Sequence, residues 1–230
     1  VARDERAARA MEAVDEHLLR REDRLVLLLT PPFRETRRDP GYIRAYPPGV
    51  RENGGQYTHA AAWVGWAFAD LGDASRAWEV LRVLNPLSRS GTPSEAERYA
   101  VEPYVQCADV YGADPFTGRG GWTWYTGSAA WTYRLAVERI LGLRRRGDRV
   151  RLAPCPPPGW EGWEMRLRED GTEWRIRVRV TGDGEAGVQS LELDGSRLEG
   201  DTFPLRHDGE VHEVVARVGR PEAAVDSPAA

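Results

Sequence analysis

Apolar positions recur every three to four residues through the first two thirds of the chain and every second residue after that. The helical period predicts helices over 7–19, 56–71, 74–84 and 128–141, with a shorter piece over 102–111. The helix over 128–141 has Thr126 as its N-cap and Gly142 as its stop. Loops rich in glycine, proline and aromatic residues separate these stretches, and the long ones over 31–55 and 117–125 hold the motifs described next. After a proline-rich linker over 154–159, Trp163, Met165 and Leu167 alternate with polar residues. So do Trp174, Ile176, Val178 and Val180, and Asp170-Gly171 makes the turn between the two runs. Leu191, Leu193 and the stretch over 211–218 add strands, with Asp194-Gly195 and Asp208-Gly209 as further turns. The pattern therefore predicts an α+β chain of several domains: a helical portion over 1–148, a small β portion over 149–219 and an Ala- and Pro-rich disordered tail over 220–230.

Three short strings interrupt this pattern: Arg51-Glu-Asn-Gly-Gly-Gln-Tyr-Thr-His59, Glu102-Pro-Tyr-Val105 and Gly121-Trp-Thr-Trp-Tyr-Thr-Gly-Ser-Ala129. Two of them run directly into a helix. His59, Trp63 and Trp66 fall on one helix face at i, i+4 and i+7, and Gly54 and Gly55 would let the backbone approach a ligand. Thr126 and Gly127 open the other helix, where unpaired N–H groups and the positive end of the dipole favour an anion such as phosphate. Each feature also has an ordinary reading. A histidine on an apolar helix face is more often a hydrogen-bonded core residue, Thr-Gly at a helix start is usually only a cap, and tryptophans spaced like Trp122, Trp124 and Trp131 are usually core. It is the joint occurrence of the three strings that points to a sugar and an oxyanion.

The same strings, in this order and spacing over about residues 41–142, resemble the C-terminal half of the catalytic domain of glycoside hydrolase family 94, the inverting β-glucoside phosphorylases. The wording over 46–60 and 118–129 is most similar to the cyclic β-1,2-glucan synthase branch. The resemblance implies half of an (α/α)6 barrel followed by a small β-sandwich. It implies that His59, Thr126 and Gly127 hold phosphate as co-substrate, with no other cofactor and no metal, and that Arg51 and Glu52 line the sugar subsites. Tyr46, Gln106, Trp124 and Tyr125 are further candidates for sugar contact. The family's general acid is an aspartate in a Gly-Asp-Trp string; none occurs here, so the acid is expected upstream of Val1 in a longer parent chain. Two alternatives stay open, a non-catalytic glucan-binding module and an inverting (α/α)6 hydrolase using Glu52 or Glu102 as base.

Composition narrows the classes further. The 32 basic residues, all arginine, against 36 acidic ones give a formal charge of −4, which argues against a nucleic-acid surface. The run Arg144-Arg145-Arg146 reads as a solvated helix end. Cys107 and Cys155 have no metal spacing, which makes a reducing, cytoplasmic compartment the expectation. The apolar run over 25–29 is too short to cross a bilayer, so any membrane anchor would belong to the rest of the parent. The family's homodimers likewise depend on a domain outside this segment.

Overall fold

The computed structural model of the chain describes residues 5–182 and 186–220. The polypeptide divides into two compact units, one formed by the chain up to Leu71 together with Arg76–Leu135, the other by Gly72–Ser75 and the chain from Ala136 onward. Mixed helix and sheet, arranged as several small sheets, is the architecture observed. The expected tail lies outside the described residues from 221 onward.

The helices are α1 (Glu5–His17), α2 (Thr58–Asp70), α3 (Ala74–Leu84), α4 (Pro93–Tyr99) and α5 (Thr126–Arg134). Helix α2 buries Ala61, Ala62, Gly65, Phe68 and Ala69, a stripe of small residues and one ring. Helix α3 buries Ala77, Val80, Val83 and Leu84 at the spacing its sequence shows. Helix α4 was not expected. A capping box starts it, with the Thr92 side chain accepting from the Glu95 amide and Pro93 in the first turn. Conversely, no helix forms over 102–111; that stretch is a series of turns leading into a two-residue strand. Proline at 103 and the aromatic side chains around it favour this extended path. Helix α5 passes into a π turn over Leu135–Ile140, and Gly142 follows with a positive φ of 77°.

Four two-residue strands frame the first unit: β1 (Leu19–Arg20), β2 (Leu25–Val26), β3 (Gln56–Tyr57) and β4 (Asp109–Val110), paired β1–β2 and β3–β4 antiparallel. Behind them Leu25, Leu27, Tyr99, Cys107 and Val110 form a buried cluster.

The second unit holds β5 (Leu143–Arg146), β6 (Arg149–Leu152), β7 (Gly162–Glu169), β8 (Thr172–Thr181), β9 (Gly187–Leu193), β10 (Ser196–Leu198), β11 (Thr202–Pro204) and β12 (Val211–Gly219). The arginine run over 144–146 is therefore strand rather than helix end: it pairs with β6 around Gly147-Asp148. A five-stranded sheet in the order β10-β9-β12-β8-β7 and a three-stranded sheet in the order β11-β6-β5 contribute to one core. Trp174, Ile176, Val178, Leu191, Val214 and Ala216 from the larger sheet meet Val150, Leu152 and Phe203 from the smaller one. Asp170-Gly171 and Asp194-Gly195 both have positive φ and close two-residue hairpins, as their sequences require. The β12–β8 pair is parallel.

Candidate functional site

One short segment, 106–110, organises the candidate site. On one side it bonds the chain entering α2, where the Thr58 amide donates to Ala108 O (2.8 Å) and Tyr57 pairs with Asp109. On the other it bonds the chain entering α5: Ala108 N donates to Trp122 O (2.6 Å), Gly121 N to Asp109 O (2.8 Å) and Tyr125 N to Gln106 O (3.3 Å). The flanking segments are each antiparallel to the central one, so they run parallel to each other, two strand spacings or about 10 Å apart. Each then enters a helix, α2 at Thr58 and α5 at Thr126. The two helix beginnings thus point the same way, side by side. Ring contacts between Trp63 and Trp131 (5.4 Å) and between Trp66 and Trp131 (5.7 Å) hold the helices together, and the Arg134 guanidinium lies 4.7 Å from the Trp131 ring centre.

His59 stands in the first turn of α2 between two aromatic rings, Tyr57 at 4.7 Å and Trp63 at 5.0 Å. No hydrogen bond among the described residues engages its ring nitrogens. Burial lowers its proton affinity, against the pull of Glu52 in the other direction, so at neutral pH it is an uncharged imidazole with one N–H to give. At the head of α5 the N-cap is Tyr125, which makes no side-chain cap bond, and Thr126 is the first helical residue rather than the cap. Its hydroxyl is exposed. A Cβ built on Gly127 would meet nothing within 4 Å, while the Ser128 hydroxyl is buried without a hydrogen-bond partner among the described residues.

Beside these helix ends sits Arg51, on a tight turn whose backbone has φ 47°. The turn is held by Asn53, whose side chain donates to Tyr46 O and Phe33 O and accepts from the Phe33 amide. Rings of Trp122 (4.7 Å), Tyr46 (5.7 Å) and Tyr57 (5.9 Å) surround the guanidinium. Burial works against its charge, and the Tyr125 hydroxyl with the carboxylates of Asp109 and Glu52 more than restores it. Arg51 Nε lies 3.6 Å from Glu52 Oε2, too far for a hydrogen bond, and Nε, Nη1 and that oxygen are buried with no hydrogen-bond partner among the described residues. An ion pair with unused donors and an unused acceptor is suited to hydroxyl groups of a sugar.

Other expected contacts fall elsewhere. Gln106 is buried and spends its amide donors on Leu84 O (3.1 Å) and Thr132 Oγ1 (2.8 Å), so it ties the scaffold and offers a sugar no donor. Gly54 and Gly55 are buried too. The space a Cβ would need at 54 is taken by Pro32 and at 55 by the Arg51 backbone, so these glycines serve loop packing, not ligand approach. Trp122 and Trp124 are 66% and 68% exposed, so neither is the core residue that such spacing usually gives, and Trp124, a candidate for sugar contact, is open to solvent. The Trp124 indole donates to Glu102 Oε1 (3.2 Å) and meets the Tyr104 ring edge-on. An open groove of about 920 Å³ is lined by Ala100, Val101, Glu102, Gly121, Trp122 and Tyr125 among others. Two residues that sequence reasoning missed matter here: Trp122, which stacks on Arg51, and Asp109, buried beneath both. Gly120-Gly121 ahead of Trp122 was the one readable signal, since paired glycines mark a close backbone approach.

Among the described residues, no group of three His, Cys, Asp or Glu is placed to hold a metal, both cysteines are buried and outside any disulfide, and no helix is long and apolar enough to cross a membrane. The chain is 52% identical over 192 residues to the cyclic β-(1,2)-glucan synthase NdvB of Rhizobium meliloti, covering 84% of this chain and 7% of that protein. It is 30% identical to the solabiose phosphorylase of Paenibacillus borealis, covering 93% of this chain and 27% of the relative. The N,N'-diacetylchitobiose phosphorylase of Vibrio proteolyticus is also 30% identical, with 95% and 27% covered. The chain thus spans about a quarter or less of the length of these relatives. The family model of the glycosyl hydrolase 94 superfamily catalytic domain matches residues 1–142, which include both helix beginnings and the Arg51 turn, and the chain belongs to that superfamily.

Proposed function

We propose that this chain is the phosphate-side portion of an inverting glycoside phosphorylase or glucosyl transferase acting on β-linked glucans. The observation that carries the reading is Gly127. Glycine in the first turn of a helix is less favourable than alanine, and neither a positive φ nor a crowded neighbour calls for it here. A ligand lying against the bare amide does call for it. His59 adds an N–H without a partner in the chain, Thr126 an uncommitted hydroxyl, Ser128 a buried one, and two parallel helix N-termini add their dipoles. The family and the phosphorylases among its relatives agree with phosphate as that ligand.

In this mechanism one phosphate oxygen attacks the anomeric carbon as the glycosidic C–O bond breaks on the opposite side, and a carboxylic acid from the remainder of the parent chain protonates the departing oxygen. Phosphate is a competent nucleophile at neutral pH, so the site has to place it rather than deprotonate it. Neutral donors, an imidazole N–H, a hydroxyl and backbone amides, suit that task. Arg51 and Glu52 hold sugar hydroxyls, with Tyr46, Trp122, Trp124 and Tyr125 giving apolar surface to the pyranose faces. The helical unit is then the C-terminal half of an (α/α)6 barrel and the second unit its β-sandwich. Without the acid, the segment alone binds but does not turn over.

The test uses the full-length parent. His59→Ala should raise KM for phosphate and lower kcat while glucan affinity in the absence of phosphate stays within about twofold. Unchanged phosphate dependence removes His59 from the site. Free sugar in place of sugar phosphate as product would mark a hydrolase using Glu102 or Glu52. The exposed Trp122, Trp124 and Tyr104 favour one second reading, a glucan-binding module, which would bind oligosaccharide with no phosphate dependence at all.

A further inference from the structure

Asp109 is a carboxylate that the phosphate and sugar contacts leave out. It is 1% exposed, in β4, between the two motif loops. Its Oδ2 accepts the Arg51 amide at 3.1 Å, and it also accepts the amide of Trp122. A Cβ on Gly121 would come within 2.2 Å of its Oδ1, so glycine there is what lets the second loop close onto the carboxylate. Its backbone pairs with Tyr57 on one side and accepts Gly121 N on the other. One buried group thus receives an amide from each loop. The left-handed backbone of Arg51, a conformation unfavourable for a non-glycine residue, is held by that bond.

We infer that Asp109 is a positioning residue that fixes the Arg51 guanidinium against the Trp122 ring, which lines the groove, and through that pair sets how tightly a glucan chain is held. The charges facing it are Arg51 and Glu52 from the first loop, with Cys107 on its own segment. Burial pushes the Asp109 carboxyl up, and the Arg51 and Trp122 amides with the Arg51 charge pull it back; in its ionised form it attracts Arg51 and accepts two amides, and a neutral amide side chain in its place keeps the shape and loses the charge and one acceptor atom. Gly121→Ala does the reverse, keeping the charge and displacing the carboxylate. The two variants should therefore loosen the same contact by different means. This inference rests on reading the groove as the sugar subsite, and the experiment has one arm that does not.

In the full-length parent, amide hydrogen exchange is measured for wild type and Asp109→Asn, together with binding of β-1,2-glucotetraose by calorimetry in four proteins: wild type, Asp109→Asn, Trp122→Ala and the double variant. Faster exchange at the Arg51 and Trp122 amides, with the rest of the helical unit unchanged, is expected. Glucotetraose affinity should fall about tenfold with Asp109→Asn in the wild-type background and less than about threefold in the Trp122→Ala background, because the second change has already removed the partner. Equal losses in both backgrounds, or unchanged affinity, would overturn the inference, as would unchanged exchange at both amides. Wild type that binds no glucotetraose would sink the sugar-subsite reading, and the exchange arm would still judge Asp109. Should Asp109→Asn not fold, Gly121→Ala takes its place in the same cycle.

Discussion

Replacing Gly127 by alanine separates the demands of the fold from those of the proposed ligand. The added methyl meets no heavy atom within 4 Å, and the residue lies in the first turn of α5 without a positive φ. Inside a helix, alanine is favoured over glycine by about 0.8–1.0 kcal/mol, and in the first turn about half of that, roughly 0.5 kcal/mol, is expected. For a protein of this length that raises Tm by about 1–2 °C. A phosphate bonded to the 127 amide would meet the same methyl, so KM for phosphate should rise about tenfold or more, a loss of roughly 1.4 kcal/mol in ligand contact. Differential scanning calorimetry of the variant and initial rates of the full-length parent at varied phosphate read the two effects separately. A more stable variant with an unchanged KM for phosphate would refute the assignment of this amide. A variant destabilised by more than about 1 kcal/mol would instead refute the reasoning that the fold leaves this position free.

Gly142→Ala should behave in the opposite way: at φ 77° its Cβ would lie 2.2 Å from Pro154 N, so about 1–2 kcal/mol of backbone strain adds to about 1–3 kcal/mol of overpacking. Urea unfolding should show a loss of roughly 3 kcal/mol, and a loss under about 1 kcal/mol would contradict the geometry. In the β unit, His212 is bonded at Nδ1 to Asp194 (2.8 Å) and at Nε2 to Asp208 (3.1 Å), stacked on the buried Trp174. Asp194 and then Asp208 raise its proton affinity above the usual imidazole value against the opposing effect of burial, while Arg206 sits 3.7 Å from Asp194. A group with a raised folded pKa stabilises fully below about pH 6.5 and loses that contribution as pH climbs through the folded value. Asp208, held low by the Glu210 amide and by His212, and Asp194, held low by the Glu213 amide and by His212 in spite of burial, contribute above the usual carboxylate range and lose it as pH falls. The urea midpoint should therefore peak between about pH 4 and 6.5 and decline toward pH 8, and His212→Gln should flatten the decline. A midpoint that rises from pH 6 to 8 in wild type would contradict this clamp.

Periodicity made α1, α2, α3 and α5 legible, and turn chemistry located the β7–β8 and β9–β10 hairpins, because those signals are local. Gly142 likewise announced a helix stop that its positive φ requires. Helix α4 was missed although Thr92-Pro93-Ser94-Glu95 spells a capping box, since its seven residues show too little periodicity to stand out. Arg144–Arg146 looked like a helix end because arginine has no strand signature; the pairing with β6 decides the matter. The parallel β12–β8 pair could not be read, as register between distant segments leaves no local trace. In the site, the helix beginnings with His59 and Thr126 were readable from composition and spacing. Gln106 and the exposure of Trp122 were not, because both depend on which neighbours the segment over 106–110 brings beside them.

Two parallel helix beginnings share one small anion in the proposed site, and a crystal structure of the full-length parent grown with millimolar phosphate tests this most directly. The expected result is a phosphate within hydrogen-bond distance of the His59 imidazole, the Thr126 hydroxyl and the Gly127 amide at once. A phosphate bound elsewhere at a concentration that supports turnover, with His59 and Gly127 untouched, would contradict it.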